Sequence, residues 1–173
     1  MALSTPFRAL LAVIRAQPDA EYSLESTPDL HAPGRAELLG LLRQHGLSGW
    51  AHRVFADAGI ALPSDLADPL ASDHAQHTAR SILALDAYER ISQVLSGARV
   101  EHVPLKGIRF LDKLYPDPGT RAISDLDVLI RREDVARTDA LLRKAGYVGE
   151  EPGLWQRQRL RCSPLSPRSA NRW

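Results

Sequence analysis

Two acidic residues, Asp125 and Asp127, flank Leu126 immediately before an apolar run at 128–130. Such a run is typical of a short buried strand. Side chains alternate along a strand, so both carboxylates are predicted to share one face, with Cα atoms roughly 7 Å apart, while Leu126 points into a core. Carboxylate oxygens are the ligands that hard divalent cations prefer. Because unpaired acids are costly to bury, we favour metal ligands over simple polarity at the edge of a strand.

A second feature with chemical potential is the pair Lys106-Gly107, which follows the apolar run ending at Leu105. We expect Gly107 to turn a short strand into a helix that runs from about Ile108 to Leu114, because glycine adopts tight turn conformations readily. The junction would then begin a turn that faces phosphate groups.

The first hundred residues carry helical periodicity throughout. A proline inside a helix costs about 3 kcal/mol, so we place the main start of the fourth helix at Pro69, with Asp68 as its N-cap. In this helix His74 and His77 have a spacing that suits a metal, but no third ligand is near, and a solvated helix face is the preferred interpretation. The leucine-rich stripes are interpreted as core. The predicted helices begin at Thr5, span about Pro33 to Gly46 and Ser48 to Ala58, and run from Pro69 to about Ser96, with a polar loop at 17–32.

From Arg99 onward, short strands alternate with helices. The segment 115–119 contains two prolines and a glycine and is predicted to be a loop. A helix from about Arg132 should end at Gly146, and 147–148 begins another strand. This order of strand, helix, loop, strand and helix, attached to a helical N-terminal region, predicts an α+β fold with a small mixed sheet.

The segment after residue 150 differs in composition from the rest of the chain. From Trp155 onward it has five arginines and no acid, and it lacks apolar periodicity. Residues 151–173 are therefore predicted to form a disordered basic tail, with contact to RNA or a membrane as the alternative. The remaining body is mildly acidic, which makes nucleic acid an unlikely partner. The predicted domains are a helical region at 1–98, an α/β unit at 99–150 and the tail.

Composition also narrows the setting of the protein. A single cysteine, Cys162, excludes an intrachain disulfide framework and a cysteine-rich zinc site. No apolar run approaches the roughly 20 residues needed to span a bilayer. The apolar residues from Phe7 to Ile14 are spaced as on one face of a helix, which favours an amphipathic helix over a signal peptide. We therefore expect a cytoplasmic protein with no membrane partner, of undetermined oligomeric state.

Four motifs in this order resemble the uncharacterised bacterial nucleotidyltransferase family of the DNA polymerase β-like superfamily. The motifs are LKG at 105–107, LYPDPGTR at 114–121, SDLDVLI at 124–130 and AGY at 145–147. The resemblance covers about residues 33–150, so that 99–150 would be a partial nucleotidyltransferase core.

The resemblance implies metal-dependent transfer of a nucleotidyl group from a nucleoside triphosphate to an unknown acceptor. Asp125 and Asp127 match the catalytic carboxylates that hold Mg²⁺ or Mn²⁺. Gly107 matches the glycine whose backbone approaches the triphosphate at a helix N-terminus. Lys106 and Arg121 would add positive charge for the phosphates. The alternatives are a solvated Lys106 at a strand end and an Arg121 that braces the loop by pairing with an aspartate.

Ser124 completes the predicted site, with a hydroxyl near the metal or a simple turn hydrogen bond. The sequence also departs from the superfamily pattern. Ile108 follows Gly107 where glycine or serine is usual, and no third carboxylate is identifiable, because Glu150 and Glu151 follow the preceding helix too closely. With its atypical tail, the chain is expected to be truncated or frame-shifted. The alternative function is a non-catalytic nucleotide- or metal-binding module or a helical interaction protein, for example a toxin–antitoxin partner.

Overall fold

The computed structural model describes residues 4–15, 31–115, 117–149 and 162–163. Its chain divides into two compact units, here called the helical unit (1–83 and 109–125) and the strand unit (84–108 and 126–173). The described elements, in chain order, are α1 (Thr5–Arg15), α2 (Ala32–Gln44), α3 (Ser48–Asp57), α4 (Ser64–Gly97), β1 (His102–Leu105), α5 (Lys106–Lys113), β2 (Asp127–Ile130), a 3-10 turn (Arg132–Asp134), α6 (Val135–Lys144), β3 (Val148–Gly149) and β4 (Cys162–Ser163).

The core of the helical unit is formed by the apolar faces of α1, α2 and α3 and by the first turns of α4. Because these apolar residues recur at helical spacing, each helix turns one stripe inward. Trp50 also ties α3 to α1, since its indole N–H donates to the carbonyl of Val13 at 3.1 Å. The buried members of this core are Ala9, Leu10, Val13, Leu38, Leu42, Ala51, Val54, Phe55, Leu66 and Leu70.

The helix α4 begins at Ser64 and contains Pro69 in its interior, so the predicted start at Pro69 is wrong. The first turn is anchored by the Pro63 carbonyl, which accepts hydrogen bonds from Leu66 N at 3.0 Å and Ala67 N at 2.9 Å. Leu66 and Leu70 are both fully buried in the core. Burying two leucines contributes about 3–6 kcal/mol, which offsets the cost of about 3 kcal/mol for the proline.

The predicted ends of two helices are confirmed at their glycines. Gly46 follows α2 with φ 66° and Gly146 follows α6 with φ 95°, a left-handed conformation that other residues adopt only at a cost. The Leu47 amide donates to the Leu42 carbonyl at 2.7 Å, and the Tyr147 amide donates to the Leu142 carbonyl at 2.9 Å. These bonds satisfy carbonyls that the helix end leaves without a partner.

The strand unit contains two pairs of antiparallel strands in its described part, β1 with β2 and β3 with β4. The predicted α+β class is confirmed, but the described strand pairs are antiparallel rather than mixed. The strand β2 is only half-buried, against the prediction of a buried strand. Leu126 packs against the core of this unit, as predicted. The buried members of that core are Ile91, Leu95, Val100 and Leu142.

Some sequence predictions fall outside the described residues. The polar loop is described only from residue 31, and the basic tail only at Cys162–Ser163, which form β4. The domain boundaries at 98 and 150 remain predictions. Among the helices that the structure describes, none combines the length and the apolar composition needed to cross a bilayer.

Replacing Leu70 by alanine tests the assigned core of the helical unit. The side chain is 0% exposed, so Leu70→Ala should lower the free energy of unfolding by about 3 kcal/mol through lost contacts and a cavity. Leu83, on the same helix, is 68% exposed, and Leu83→Ala should cost less than about 0.5 kcal/mol. Urea denaturation of both variants checks this difference, and equal losses would contradict the assignment.

Candidate active site

The junction between β1 and α5 in the strand unit has an unusual backbone. The strand ends at Leu105 and the helix begins at the next residue, Lys106, which has φ 49°. A residue with a side chain pays roughly 1–2 kcal/mol for this left-handed conformation. The turn that the sequence assigns to Gly107 is therefore made by Lys106, and Gly107 is the second residue of the helix. Lys106 and Gly107, two of the predicted phosphate residues, lie at the N-terminus of α5.

Asp127 is placed beside this junction by the register of the strands. Its Cα pairs with that of Leu105, and its Oδ2 lies 2.7 Å from Lys106 Nζ. The Lys106 side chain is 70% exposed and that of Asp127 is 35% exposed. An ion pair at this exposure contributes at most about 1 kcal/mol. The structure therefore brings together two predicted site residues, Lys106 and Asp127, and Lys106 is paired rather than simply solvated at the strand end.

Arg121 lies in the helical unit, against two aromatic rings. Its guanidinium carbon is 5.5 Å from the centroid of Phe110 and 5.6 Å from that of Tyr115, and Nη1 is 3.5 Å from the Tyr115 hydroxyl. In the described part of the chain no carboxylate forms an ion pair with Arg121, so the bracing aspartate that was the alternative is not found there. Ring faces attract the cation without occupying most of its N–H donors. The half-buried Arg121 is thus suited to bind an anion.

Ser124 and Asp125 form a local pair in the helical unit. The serine hydroxyl donates to Asp125 Oδ1 at 3.0 Å, and both residues are exposed. The strand β2 begins only at Asp127, so Asp125 precedes it. The prediction that both acids line a buried strand is wrong, and the cost of burial gives no argument for metal binding here.

The donor chemistry of the two acids still fits a hard cation, because carboxylate oxygens are the preferred ligands of Mg²⁺ and Mn²⁺. Oδ2 of Asp127 is engaged by Lys106, so a cation would compete with the lysine for that oxygen. Within the ranges that the structure describes, no three histidine, cysteine or acidic side chains are grouped so as to hold a metal ion. Glu150 and Glu151 lie outside those ranges.

Sequence reasoning missed a polar cluster in the helical unit that holds the turn at 117–120. Asp117 accepts a hydrogen bond from His74 Nε2 at 2.9 Å and one from the Gly119 amide at 2.9 Å. Its Oδ2 also lies 3.5 Å from Arg53 Nη1. Two turns further along α4 from His74, the Ser81 hydroxyl donates to the Pro118 carbonyl at 2.9 Å.

The prediction that His74 and His77 lie on a solvated helix face is wrong. His77 is buried and His74 is half-buried. A signal was present, because His74, His77 and Ser81 are spaced by three and four residues and so share one face of α4. A polar stripe on a helix that packs against its own chain indicates a polar contact rather than solvent.

Burial and neighbouring charges shift the pKa values of Asp117 and of two histidines near the turn, His52 and His77. Burial lowers the pKa of His77, opposed by the Gly119 backbone and by Asp73. Burial and the nearby His74 lower the pKa of His52, whose ring centroid lies 4.8 Å from that of His74. Burial alone would raise the pKa of Asp117, but the Gly119 amide, His74 and Arg53 together hold that pKa below its ordinary value. Lowering the pH should therefore destabilise the folded state, because these three groups bind protons less readily when the chain is folded.

A family model described as uncharacterised nucleotidyltransferase matches residues 33–167. The match covers well over half of the chain and includes every site residue that the sequence predicts. It extends beyond residue 150, where the resemblance was expected to end. Neither the comparison with curated proteins nor the comparison with solved structures gave a match.

Replacing His77 by leucine should reduce the loss of stability in acid. The unfolded chain binds a proton at the ordinary histidine pKa of about 6.5, whereas the folded pKa of His77 is lower. The unfolded state therefore binds more protons below about pH 6.5, and the free energy of unfolding falls as the pH falls. Urea denaturation at about pH 7.5 and pH 5.5 should show a smaller loss for His77→Leu than for the wild type. The exposed His45→Leu variant is the control. If His77→Leu lost as much free energy of unfolding between the two pH values as the wild type, the prediction would be contradicted.

Proposed function

The chain belongs to the uncharacterised nucleotidyltransferase family, and from this premise we propose that it transfers a nucleotidyl group from a nucleoside triphosphate to an acceptor. The observation that carries the proposal is the contact of Lys106 with Asp127 at the N-terminus of α5. It combines a carboxylate suited to a cation, a lysine suited to phosphate and the backbone amides of a helix N-terminus, which attract anions.

In this proposal the residues of the strand unit bind the triphosphate end of the nucleotide. The amide of Gly107 is one of the first amides of α5, which lack partners within the helix and can donate to phosphate oxygens. Lys106 would donate from Nζ to a phosphate oxygen if a cation held Asp127. The lysine therefore exchanges one negative partner for another and keeps its charge neutralised.

Arg121, in the helical unit, is also a proposed phosphate ligand, by its residue type and its motif. Its planar fork can donate two parallel hydrogen bonds to phosphate oxygens, while Phe110 and Tyr115 hold the guanidinium group by its face. Ser124 orients Asp125 through the bond to Oδ1. Arg121 would orient the phosphates, and Ser124 would keep one carboxylate oxygen turned toward its own hydroxyl.

Asp125 and Asp127, two residues apart in the chain, are the proposed ligands of Mg²⁺ or Mn²⁺. When bound, the cation neutralises charge on the departing pyrophosphate and makes the acceptor hydroxyl more acidic. The acceptor oxygen bonds to the α-phosphorus as the bond to pyrophosphate breaks, and the hydroxyl proton passes to a base. The side chains of Lys106 and Arg121 bind and orient the phosphates during this exchange.

Substituting the acid beside Lys106 tests the proposal directly. Asp127→Asn keeps the shape of the side chain but removes its charge, so it should weaken Mg²⁺-dependent binding of a nucleoside triphosphate by at least about tenfold, measured by isothermal titration with each of the four nucleotides. Asp125→Asn should act in the same direction.

A matched control is available in the same unit. Asp139 is 34% exposed and pairs with Arg143 at 2.8 Å, so Asp139→Asn removes a carboxylate of similar exposure and pairing and should leave nucleotide binding unchanged. Absence of metal-dependent binding by the wild type, or binding indifferent to Asp127→Asn, would refute the proposed function. Metal-dependent binding without pyrophosphate release in the presence of candidate acceptors would favour the non-catalytic module.

Replacing Lys106 should change metal binding and nucleotide binding in opposite directions. Lys106→Met removes the cation that competes for Asp127 Oδ2, so the affinity for Mn²⁺ alone should rise a few-fold. The affinity for the triphosphate with its metal should fall about tenfold, because one charge-assisted hydrogen bond is lost. Titration of both ligands checks this, with the exposed Lys144→Met as the control. A change of the same sign for both ligands would contradict the assigned role.

A further inference from the structure

The turn at 117–120 in the helical unit is fixed at each of its residues. Asp117 is bonded by His74 and by the Gly119 amide, and the Pro118 carbonyl is bonded by Ser81. Thr120 is buried, and its hydroxyl donates to the Asp117 carbonyl at 2.7 Å. A surface loop is normally tied down at fewer points than this, so the restraint calls for a reason.

The packing leaves no room for a side chain where this turn meets α3 and α4. A Cβ added at Gly49 would collide with the Gly119 carbonyl, and a Cβ added at Gly119 would collide with the His74 ring. Two glycines on separate segments thus allow backbone to approach backbone and ring. At Gly49 the neighbour is the Gly119 carbonyl, which is backbone and cannot turn aside as a side chain can, and at Gly119 the neighbours are the tip of the His74 ring and the Thr78 hydroxyl.

The residue that follows this turn is Arg121. Its guanidinium group is held by ring faces, which attract a cation weakly and over a broad range of positions. The aromatic contacts alone therefore do not fix the backbone position of Arg121. The rigid turn fixes it, because Arg121 directly follows the turn in the chain.

We propose that His74 and Asp117 are positioning residues for nucleotide binding. The hydrogen bond between their side chains, here called the clasp, joins the 117–120 turn to α4 and so holds Arg121 in the position from which it binds the phosphates. Neither side chain touches the nucleotide in this proposal, and both act through Arg121. The inference rests on the proposed function of the chain.

The first test separates the charge of Asp117 from its hydrogen bonds. Asp117→Ala removes the side-chain bonds to the Gly119 amide and to the His74 ring, whereas Asp117→Asn still accepts from the Gly119 amide and still bonds the His74 ring. Asp117→Ala should weaken binding of the triphosphate with Mg²⁺ about tenfold. It should not change the affinity for Mn²⁺ measured without nucleotide. Asp117→Asn should bind the nucleotide as the wild type does. His74→Ala should behave like Asp117→Ala. Asp57→Ala is the control, because Asp57 also accepts from Arg53, at 2.6 Å, and makes no bond to the turn.

A second readout reports the turn without any nucleotide. Trypsin cleaves after arginine, and the peptide that ends at Arg121 can be followed by mass spectrometry under native conditions. Asp117→Ala should speed this cleavage, and Asp117→Asn and Asp57→Ala should leave it near the wild-type rate. Far-UV circular dichroism of each variant shows whether the helices remain, so that global unfolding is distinguished from release of the turn.

A double-mutant cycle then tests whether Asp117 acts through Arg121. If it does, adding Asp117→Ala to Arg121→Ala should weaken nucleotide binding no further. Additive losses, or an Asp117→Asn variant that binds as weakly as Asp117→Ala, would overturn the positioning role while leaving the proposed function intact. A wild-type chain that binds no nucleotide would refute the proposed function, and the positioning role with it; unchanged cleavage in Asp117→Ala would show that the clasp does not hold the turn.

Discussion

The helical unit depends on the contact that Gly49 and Gly119 permit. Because both positions lack a side chain, the backbone of the 117–120 turn lies directly against α3 and against the His74 ring on α4. Backbone brought this close must have its polar groups satisfied, since an unpaired buried amide or carbonyl costs free energy. The side chains of Asp117 and Ser81 meet that need. The packing constraint therefore explains why polar residues lie on a helix face that would otherwise be apolar.

The same constraint explains the electrostatics of the cluster. A carboxylate taken partly out of water favours its neutral form, but three donors around Asp117 reverse that tendency and keep the pKa low. For His77 the balance is the opposite: the Gly119 backbone and Asp73 favour the charged form, but burial outweighs them and lowers the pKa. The cluster is thus arranged for a charged Asp117 and a neutral His77. The lowered pKa keeps His77 neutral at pH values where an ordinary histidine is already protonated.

Periodic features of the sequence predicted the fold well, and local exceptions to periodicity did not. The stripes of leucine in α2 and the glycine at 146 lead to the correct helices because they reflect one element at a time. Pro69 was misjudged because the compensation for its cost comes from tertiary burial of Leu66 and Leu70, which a local rule does not contain. The left-handed turn at Lys106 was assigned to Gly107 for the same reason: intrinsic preference favours glycine, and the β1–β2 register places the turn one residue earlier.

The site residues divide along similar lines. Residue type and the family resemblance together predicted Lys106 for phosphate and Asp127 for a cation, and those roles stay predictions. The structure shows that the strand register brings the two side chains together. Burial of Asp125 could not be inferred correctly, because the apolar run that follows starts its strand only at Asp127. The clasp around Asp117 was missed because His74 and Asp117 are 43 residues apart, and only packing brings them into contact.

Lys106 and Arg121, the two cations proposed to bind phosphate, are held by different forces, and under the proposed function this difference has a consequence. Lys106 is held by the charge of Asp127 and would be released if a divalent cation bound that carboxylate, whereas Arg121 is held by ring faces and keeps most of its donors available. Under the proposed function, metal and triphosphate binding would then be coupled in the strand unit: a cation would free the lysine for phosphate, and phosphate would draw the lysine away from Asp127. Linkage makes this coupling reciprocal, so each ligand strengthens the other's binding by the same factor. A weak exposed ion pair suits that task, because a buried one would cost too much to break.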